Sequence, residues 1–136
     1  MNRTVVLLML VVGVSCRTTQ DIVPPGAGLI GSWQYVERGY SPGAGYIVEQ
    51  IPRKPVRQVN FLPDSTVNTV NIDEYSFSSA RSYRIDSTQN RVFLSLLDSV
   101  KKPIGPSMTI RFEDGRLKLM PPCFEGCHYG FVRLRN

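Results

Sequence analysis

The chain has 136 residues, of which 42% are hydrophobic and 10% aromatic, so it suits one globular domain and is too apolar to be disordered throughout. It carries 16 Lys and Arg against 11 Asp and Glu, a formal charge of +5. The basic residues are scattered, with adjacent pairs only at Arg53-Lys54 and Lys101-Lys102. Because nucleic-acid binding normally needs a concentrated basic face, no nucleic-acid partner is expected.

The first 15 residues predict an export signal. A basic start, an apolar run over 5–12 and small residues before Cys16 are typical of a signal peptide, and the run is too short to span a bilayer. Val14-Ser15-Cys16 resembles the lipobox of bacterial lipoproteins, which implies that Cys16 is the lipidated first residue of the mature chain. An ordinary cleaved signal with an incidental cysteine is the alternative.

Residues 16–28 then predict a flexible tether, because they are polar at first and rich in Pro and Gly at the end. Lipid on Cys16 would hold the protein to a membrane. The expected location is therefore the cell envelope, with the domain lipid-anchored at the outer membrane and either periplasmic or surface-exposed.

The residues after the tether predict strands, since alternation by two recurs and helical spacing does not. Asp114-Gly115 favours a type I′ hairpin turn, and 73–79 is polar and loop-like. Strands are expected near 31–38, 57–62, 66–72, 80–86, 91–97, 107–113, 117–119 and 129–135, with 46–51 as a strand or a lid.

The expected fold is all-β. No helix is long enough to connect parallel strands, so the neighbours should be antiparallel. About eight twisted strands tend to curl until their edges meet, which predicts a single up-and-down β-barrel over residues 29–136, with a sandwich as the alternative. Side chains expected to face the core include Val59, Phe61, Met108, Ile110, Phe112, Leu117 and Leu119.

Three segments carry a resemblance to a known family: Gly31-Ser32-Trp33, residues 61–67 and residues 129–134. Together they resemble lipocalin-like lipoproteins of Bacteroidetes-type bacteria over about 29–135. The resemblance implies that Gly31 and Trp33 close one end of the barrel, with Arg133 or Arg135 lying across the tryptophan ring. It also implies a small hydrophobic or amphipathic ligand in the barrel. The Thr-Asp-Tyr motif and the C-terminal helix of lipocalins are absent.

Cys123 and Cys127 predict a disulfide that pins the hairpin between the last two strands, as nearby cysteines in exported proteins commonly do. Haem attachment is the alternative suggested by His128, but the spacing is one residue too long. A zinc site formed by the two cysteines and His128 would lack an obvious fourth ligand. No metal or cofactor is therefore expected, and His128 should be solvated beside the turn.

No catalytic group emerges from the sequence, so an enzyme is not expected. His128 is the sole histidine, no Gly-x-Ser-x-Gly motif occurs, and the adjacent acids Asp73 and Glu74 suit loop solvation. Aromatic residues in or near the longer loops could line a pocket mouth or cap the barrel; they are Tyr40, Tyr46, Tyr75 and Phe77.

Two binding functions compete. A carrier of a small ligand predicts unfilled interior volume and aromatic residues at the mouth. A protein-binding module, such as a periplasmic inhibitor of lysozyme-type enzymes, predicts a filled interior and a protruding loop, for which Gly39–Gly45 and Asp98–Pro106 are the candidates. With either function, the protein is expected to be monomeric.

Overall fold

The computed structural model describes residues 26–135, which form one antiparallel sheet of nine strands. The predicted signal peptide, Cys16 and most of the tether lie outside these residues. The strands are β1 (Gly31–Tyr40), β2 (Ile47–Gln50), β3 (Gln58–Phe61), β4 (Val67–Val70), β5 (Ser82–Thr88), β6 (Arg91–Leu97), β7 (Met108–Glu113), β8 (Arg116–Met120) and β9 (Cys127–Arg133). Within 26–135, no helix has the length and apolar character needed to cross a membrane.

The strand order is β4-β3-β1-β9-β8-β7-β6-β5, and β2 also pairs with β1. Strand β3 pairs with the first half of β1, at Gly31 to Gln34, and β2 pairs with the second half, at Glu37 to Tyr40. The two short strands thus occupy one position in the sheet, interrupted at 51–57. The sheet therefore has eight strand positions, and strands that follow one another in the sequence lie side by side. This order confirms the predicted antiparallel up-and-down topology.

The sheet curls so that its two edge strands, β4 and β5, meet at a single bridge between Thr66 and Ser82. The N–H of Val67 donates to the carbonyl of Arg81 at 3.2 Å, and the N–H of Tyr83 donates to the carbonyl of Ser65 at 2.9 Å. These bonds satisfy part of the edge that an open sheet would leave exposed.

The predicted type I′ turn joins β7 and β8. Asp114 and Gly115 both have positive φ, at 50° and 73°, as this turn requires. The turn sets the register, so that Glu113 faces Arg116 across the hairpin. Leu117 and Leu119 are consequently buried in the core, as expected.

Aromatic and aliphatic side chains fill the interior. The largest fully buried ones are Trp33, Tyr35, Phe61, Phe77, Phe131, Leu29, Leu94, Leu96, Leu117 and Leu119. The expectation for Phe112 is wrong in part, because its side chain is 47% exposed. It lies at the end of β7, beside the Trp33 ring at 6.0 Å between centroids and against Gly28, and it covers this end of the core from outside.

One end of the barrel, here called the closed end, is built around Trp33. The indole N–H donates to the carbonyl of Leu29 at 2.7 Å, in a short 3-10 turn over Ala27–Leu29. The Arg133 guanidinium lies 4.3 Å from the centre of the Trp33 ring. Gly31 has φ 132°, and a Cβ there would lie 2.7 Å from the Arg133 Nη1 atom, so a side chain would disturb this arrangement.

The opposite end, here called the open end, is where β1 finishes and β9 begins. Segment 73–79 crosses it, and the prediction of a polar loop there is wrong in part, because Tyr75–Ser78 forms a one-turn helix, α1. Its Phe77 is buried and packs edge-on against Tyr129, 5.2 Å between ring centroids, and Phe131, 5.8 Å. Since burying a phenylalanine is worth ~1.5–3 kcal/mol, this contact favours an ordered segment over a solvated loop.

Candidate functional site

A cleft of about 420 Å³ lies at the open end, next to the residue that precedes α1. We call it the mouth cleft. Its lining residues come from the end of β1, the start of β9 and the residue before α1: Arg38, Gly39, Tyr40, Glu74, Cys127, His128 and Tyr129. The volume falls within the range of small-molecule sites.

A β-bulge in β1 positions this lining. Tyr35 pairs with Phe131 and Glu37 with Gly130, so Val36 is an extra residue opposite the shift in register. A bulge reverses which face the following side chains occupy. As a result Arg38 pairs with Tyr129 on the inner face and points toward the cleft, whereas Glu37 lies on the outer face.

The Tyr35 hydroxyl is buried behind the cleft, where it makes no hydrogen bond of ordinary geometry within residues 26–135 but has the Glu74 carboxylate within reach as an acceptor. Burial, together with the nearby Glu74 carboxylate, raises the pKa of Tyr35 far above its usual value. Burial and Glu74 likewise raise the pKa of Tyr129. Both phenols therefore stay protonated, and the Tyr35 O–H can act as a donor toward Glu74.

The charges in the mouth cleft are unevenly paired. Arg38 forms an ion pair with Glu49, 2.7 Å between Nη2 and Oε2, and its guanidinium lies 5.7 Å from the centre of the Tyr40 ring. Glu74 is half-buried, and no ion pair reaches it within the part of the chain that the structure describes. The cleft thus offers one uncompensated carboxylate.

A second polar group lies on the outer face of the sheet, and sequence reasoning missed it. His128 is only 7% exposed, so the expectation of a solvated histidine is wrong. Its Nε2 lies 3.2 Å from Oε1 of Glu37, its Nδ1 contacts the Tyr46 hydroxyl, and the Tyr46 ring stacks on the imidazole. Arg116 donates to Oε2 of Glu37 at 3.0 Å.

Burial alone would raise the pKa of Glu37, but hydrogen bonds from His128 and Gln50 and the charge of Arg116 outweigh burial and hold that pKa below its usual value. The carboxylate is therefore ionised at neutral pH and can accept from the imidazole and the guanidinium together.

Two glycines make room for this outer-face network. A Cβ on Gly39 would collide with His128 and Tyr46, and one on Gly130 would collide with Glu37. The side chains of His128 and Glu37 can therefore lie close against the backbone of the neighbouring strand. The glycines are the only sequence signal that could have indicated buried polar groups here, and a single sequence does not distinguish them from loop glycines.

The other candidate residues are dispersed. Tyr40 lines the mouth cleft and Tyr46 lines an outer-face groove of about 460 Å³, whereas Tyr75 is 76% exposed and lines neither. Phe77 belongs to the core. Cys123 and Cys127 form a disulfide with their Cα atoms 5.9 Å apart, and Phe124 is fully exposed at the tip of the turn that this bond closes.

Within residues 26–135, no three His, Cys, Asp or Glu side chains are grouped closely enough to hold a metal ion. Comparison of the chain with family models, with curated proteins and with solved structures finds no match. The functional argument therefore rests on the geometry of the mouth cleft and of the loops around it.

Proposed function

We propose that the protein binds a small amphipathic molecule in the mouth cleft. The observation that carries the proposal is the cleft lining, where aromatic rings meet a carboxylate, that of Glu74, which no ion pair reaches within residues 26–135. Tyr40 and Tyr129 present ring surface, while the Glu74 carboxylate has more acceptor sites than the Tyr35 hydroxyl behind it can use. Sites for small ligands combine apolar walls with a few polar groups in this way.

The packed interior favours a ligand at the mouth over one deep in the barrel, which the resemblance had implied. Phe77 enters from the open end and packs on Phe131, and the inner face below them is occupied by large side chains. A ligand of the size of the cleft would therefore lie across the open end, with its apolar part on the tyrosine rings.

Native mass spectrometry of the full chain, purified under non-reducing conditions and incubated with a lipid extract, tests the proposal. We expect an added mass that disappears on mild unfolding. The Tyr40→Ala variant should lose it, since Tyr40 lines the cleft. The Tyr75→Ala variant is the matched control, because Tyr75 is another exposed tyrosine at the open end that is not among the lining residues, and it should keep the added mass. A wild-type chain without any adduct would contradict the proposal.

A second candidate function, protein binding through the open-end loops, is favoured by the filled interior, which was the expectation for a protein-binding module, and by the exposed tip residues. Phe124 and Val100 are exposed on two loops at this end, and Ser41 Oγ donates to Oε2 of Glu125 at 2.6 Å, which ties the 41–45 loop to the disulfide turn. A rigid exposed aromatic is a common anchor at interfaces.

Turbidity assays of cell-wall hydrolysis by a lysozyme test the inhibitor form of this function. The full chain should slow the hydrolysis, and Phe124→Ser should restore the rate. Tyr75→Ser, which removes an equally exposed aromatic from α1, is the control. Unchanged hydrolysis at a large excess of the full chain would exclude inhibition of that enzyme.

A further inference from the structure

We propose that the mouth cleft selects ligands that carry a protonated amine, with Glu74 as the counter-ion. The inference rests on the proposed function and specifies the chemical class of the ligand. It follows from the pairing of charges at the open end, where Arg38 is in an ion pair and Glu74 is not.

The charge argument depends on the contrast between Arg38 and Glu74. Arg38 is the only Lys or Arg among the lining residues, and Glu49 already pairs with it at 2.7 Å. An anionic ligand would have to displace Glu49 and approach Glu74. A cationic ligand meets an unpaired carboxylate, and because the cleft is partly shielded from water, that attraction is stronger there than at an open surface.

The hydrogen-bond acceptors in the cleft also favour a ligand with a protonated amine. An ammonium group has three donors and no acceptor, so it needs several acceptors in one place. The Glu74 carboxylate supplies them: its two oxygens offer about four acceptor sites, of which the buried Tyr35 hydroxyl behind it can use one.

The tyrosine rings of the cleft indicate what the rest of the ligand should be. The quadrupole of a tyrosine ring attracts cations at its face, and the rings of Tyr40 and Tyr129 border the carboxylate. Arg38 already lies near the Tyr40 ring, which leaves Tyr129 as the ring available to the amine and the remaining aromatic surface to an apolar body. A primary amine on an apolar or aromatic body fits these requirements.

Three probes of matched size test this inference: phenethylamine, phenethyl alcohol and 3-phenylpropionate, titrated into the full chain and followed by NMR chemical shifts or calorimetry. We expect the amine to bind at least tenfold more tightly than either of the others. Glu74→Gln should weaken amine binding by at least tenfold and leave the alcohol unchanged. Asp73→Asn removes the adjacent exposed acid, which does not line the cleft, and should change nothing.

The outcomes separate the two proposals. If the alcohol or the carboxylate binds as tightly as the amine, or if Glu74→Gln binds the amine normally, the amine class is wrong while ligand binding in the cleft stands. If no probe binds and the native chain also carries no Tyr40-dependent adduct, the proposed function itself fails. Unchanged circular dichroism of Glu74→Gln shows that a loss of binding does not come from misfolding.

Discussion

Replacing Arg133 with alanine should destabilise the closed end of the barrel. Arg133 makes three interactions there: its guanidinium covers the Trp33 ring at 4.3 Å, Nη1 donates to the carbonyl of Ile30 at 3.0 Å, and Nη2 donates to the carbonyl of Gly28 at 2.6 Å. Arg133→Ala removes all of them. The two carbonyls can bond to water instead, since this edge is solvent-exposed.

The size of the effect follows from these contacts. An exposed cation–π contact is worth ~0.5–1 kcal/mol. A hydrogen bond from a charged donor is worth ~1.5–3 kcal/mol when buried, and exposure lowers this toward the neutral value of about 1 kcal/mol. With two such hydrogen bonds and the cation–π contact, the total loss should be roughly 2.5–3 kcal/mol, which lowers the midpoint of thermal unfolding by roughly 10–15 °C in a domain of this size.

Urea unfolding followed by tryptophan fluorescence measures the loss directly, because Trp33 is the only tryptophan and lies under Arg133. Arg135→Ala is the matched control, since it removes the same side chain two residues further on, where the structure shows no contact with Trp33. We expect Arg135→Ala to change the free energy of unfolding by less than ~0.5 kcal/mol. Equal losses in the two variants would refute the assignment of Arg133.

Three further changes test the rest of the structure. Phe77→Ala should lower the free energy of unfolding by ~3–5 kcal/mol, because it empties the inner side of α1; a loss below 1 kcal/mol in chemical denaturation would mean that Phe77 is not packed in the core. Gly130→Ala should cost ~1–3 kcal/mol through its collision with Glu37, and the cost should shrink in a Glu37→Ala background, which a double-mutant cycle measures. The lowered pKa of Glu37 means that its ionised form stabilises the fold above the ordinary carboxyl pKa and that this contribution is lost as the pH falls through the lower folded-state pKa. Glu37→Gln should therefore be less stable than wild type at pH 7, and the gap should narrow on acidification; a gap that does not change with pH would contradict this account.

Local patterns in the sequence predict most of the sheet. The strand predicted at 91–97 is observed over Arg91–Leu97, and the Asp114-Gly115 turn is confirmed by two positive φ angles. Such features are determined by neighbouring residues, through side-chain alternation and the backbone freedom of glycine. The antiparallel order follows from them, because short connections leave few other topologies.

The sites could not be predicted in the same way, because they depend on contacts between distant residues. The bulge at Val36 places Arg38 rather than Glu37 beside Tyr129, and nothing in the sequence around Val36 announces it. His128 is buried by Tyr46, which is 82 residues away in the chain. Phe77 lies in a segment that the sequence predicts to be a loop, and its burial depends on a contact with Tyr129 in the last strand.

The pairing of Trp33 with Arg133 has a geometric consequence for how the protein meets its surroundings. It brings the start of the first strand and the end of the last strand to the same end of the barrel, opposite the mouth cleft. Chain that continues beyond residue 26 or residue 135 would therefore start from the Trp33 end of the barrel. Both points of exit lie away from the mouth cleft, so neither blocks the entrance to the cleft at the opposite end.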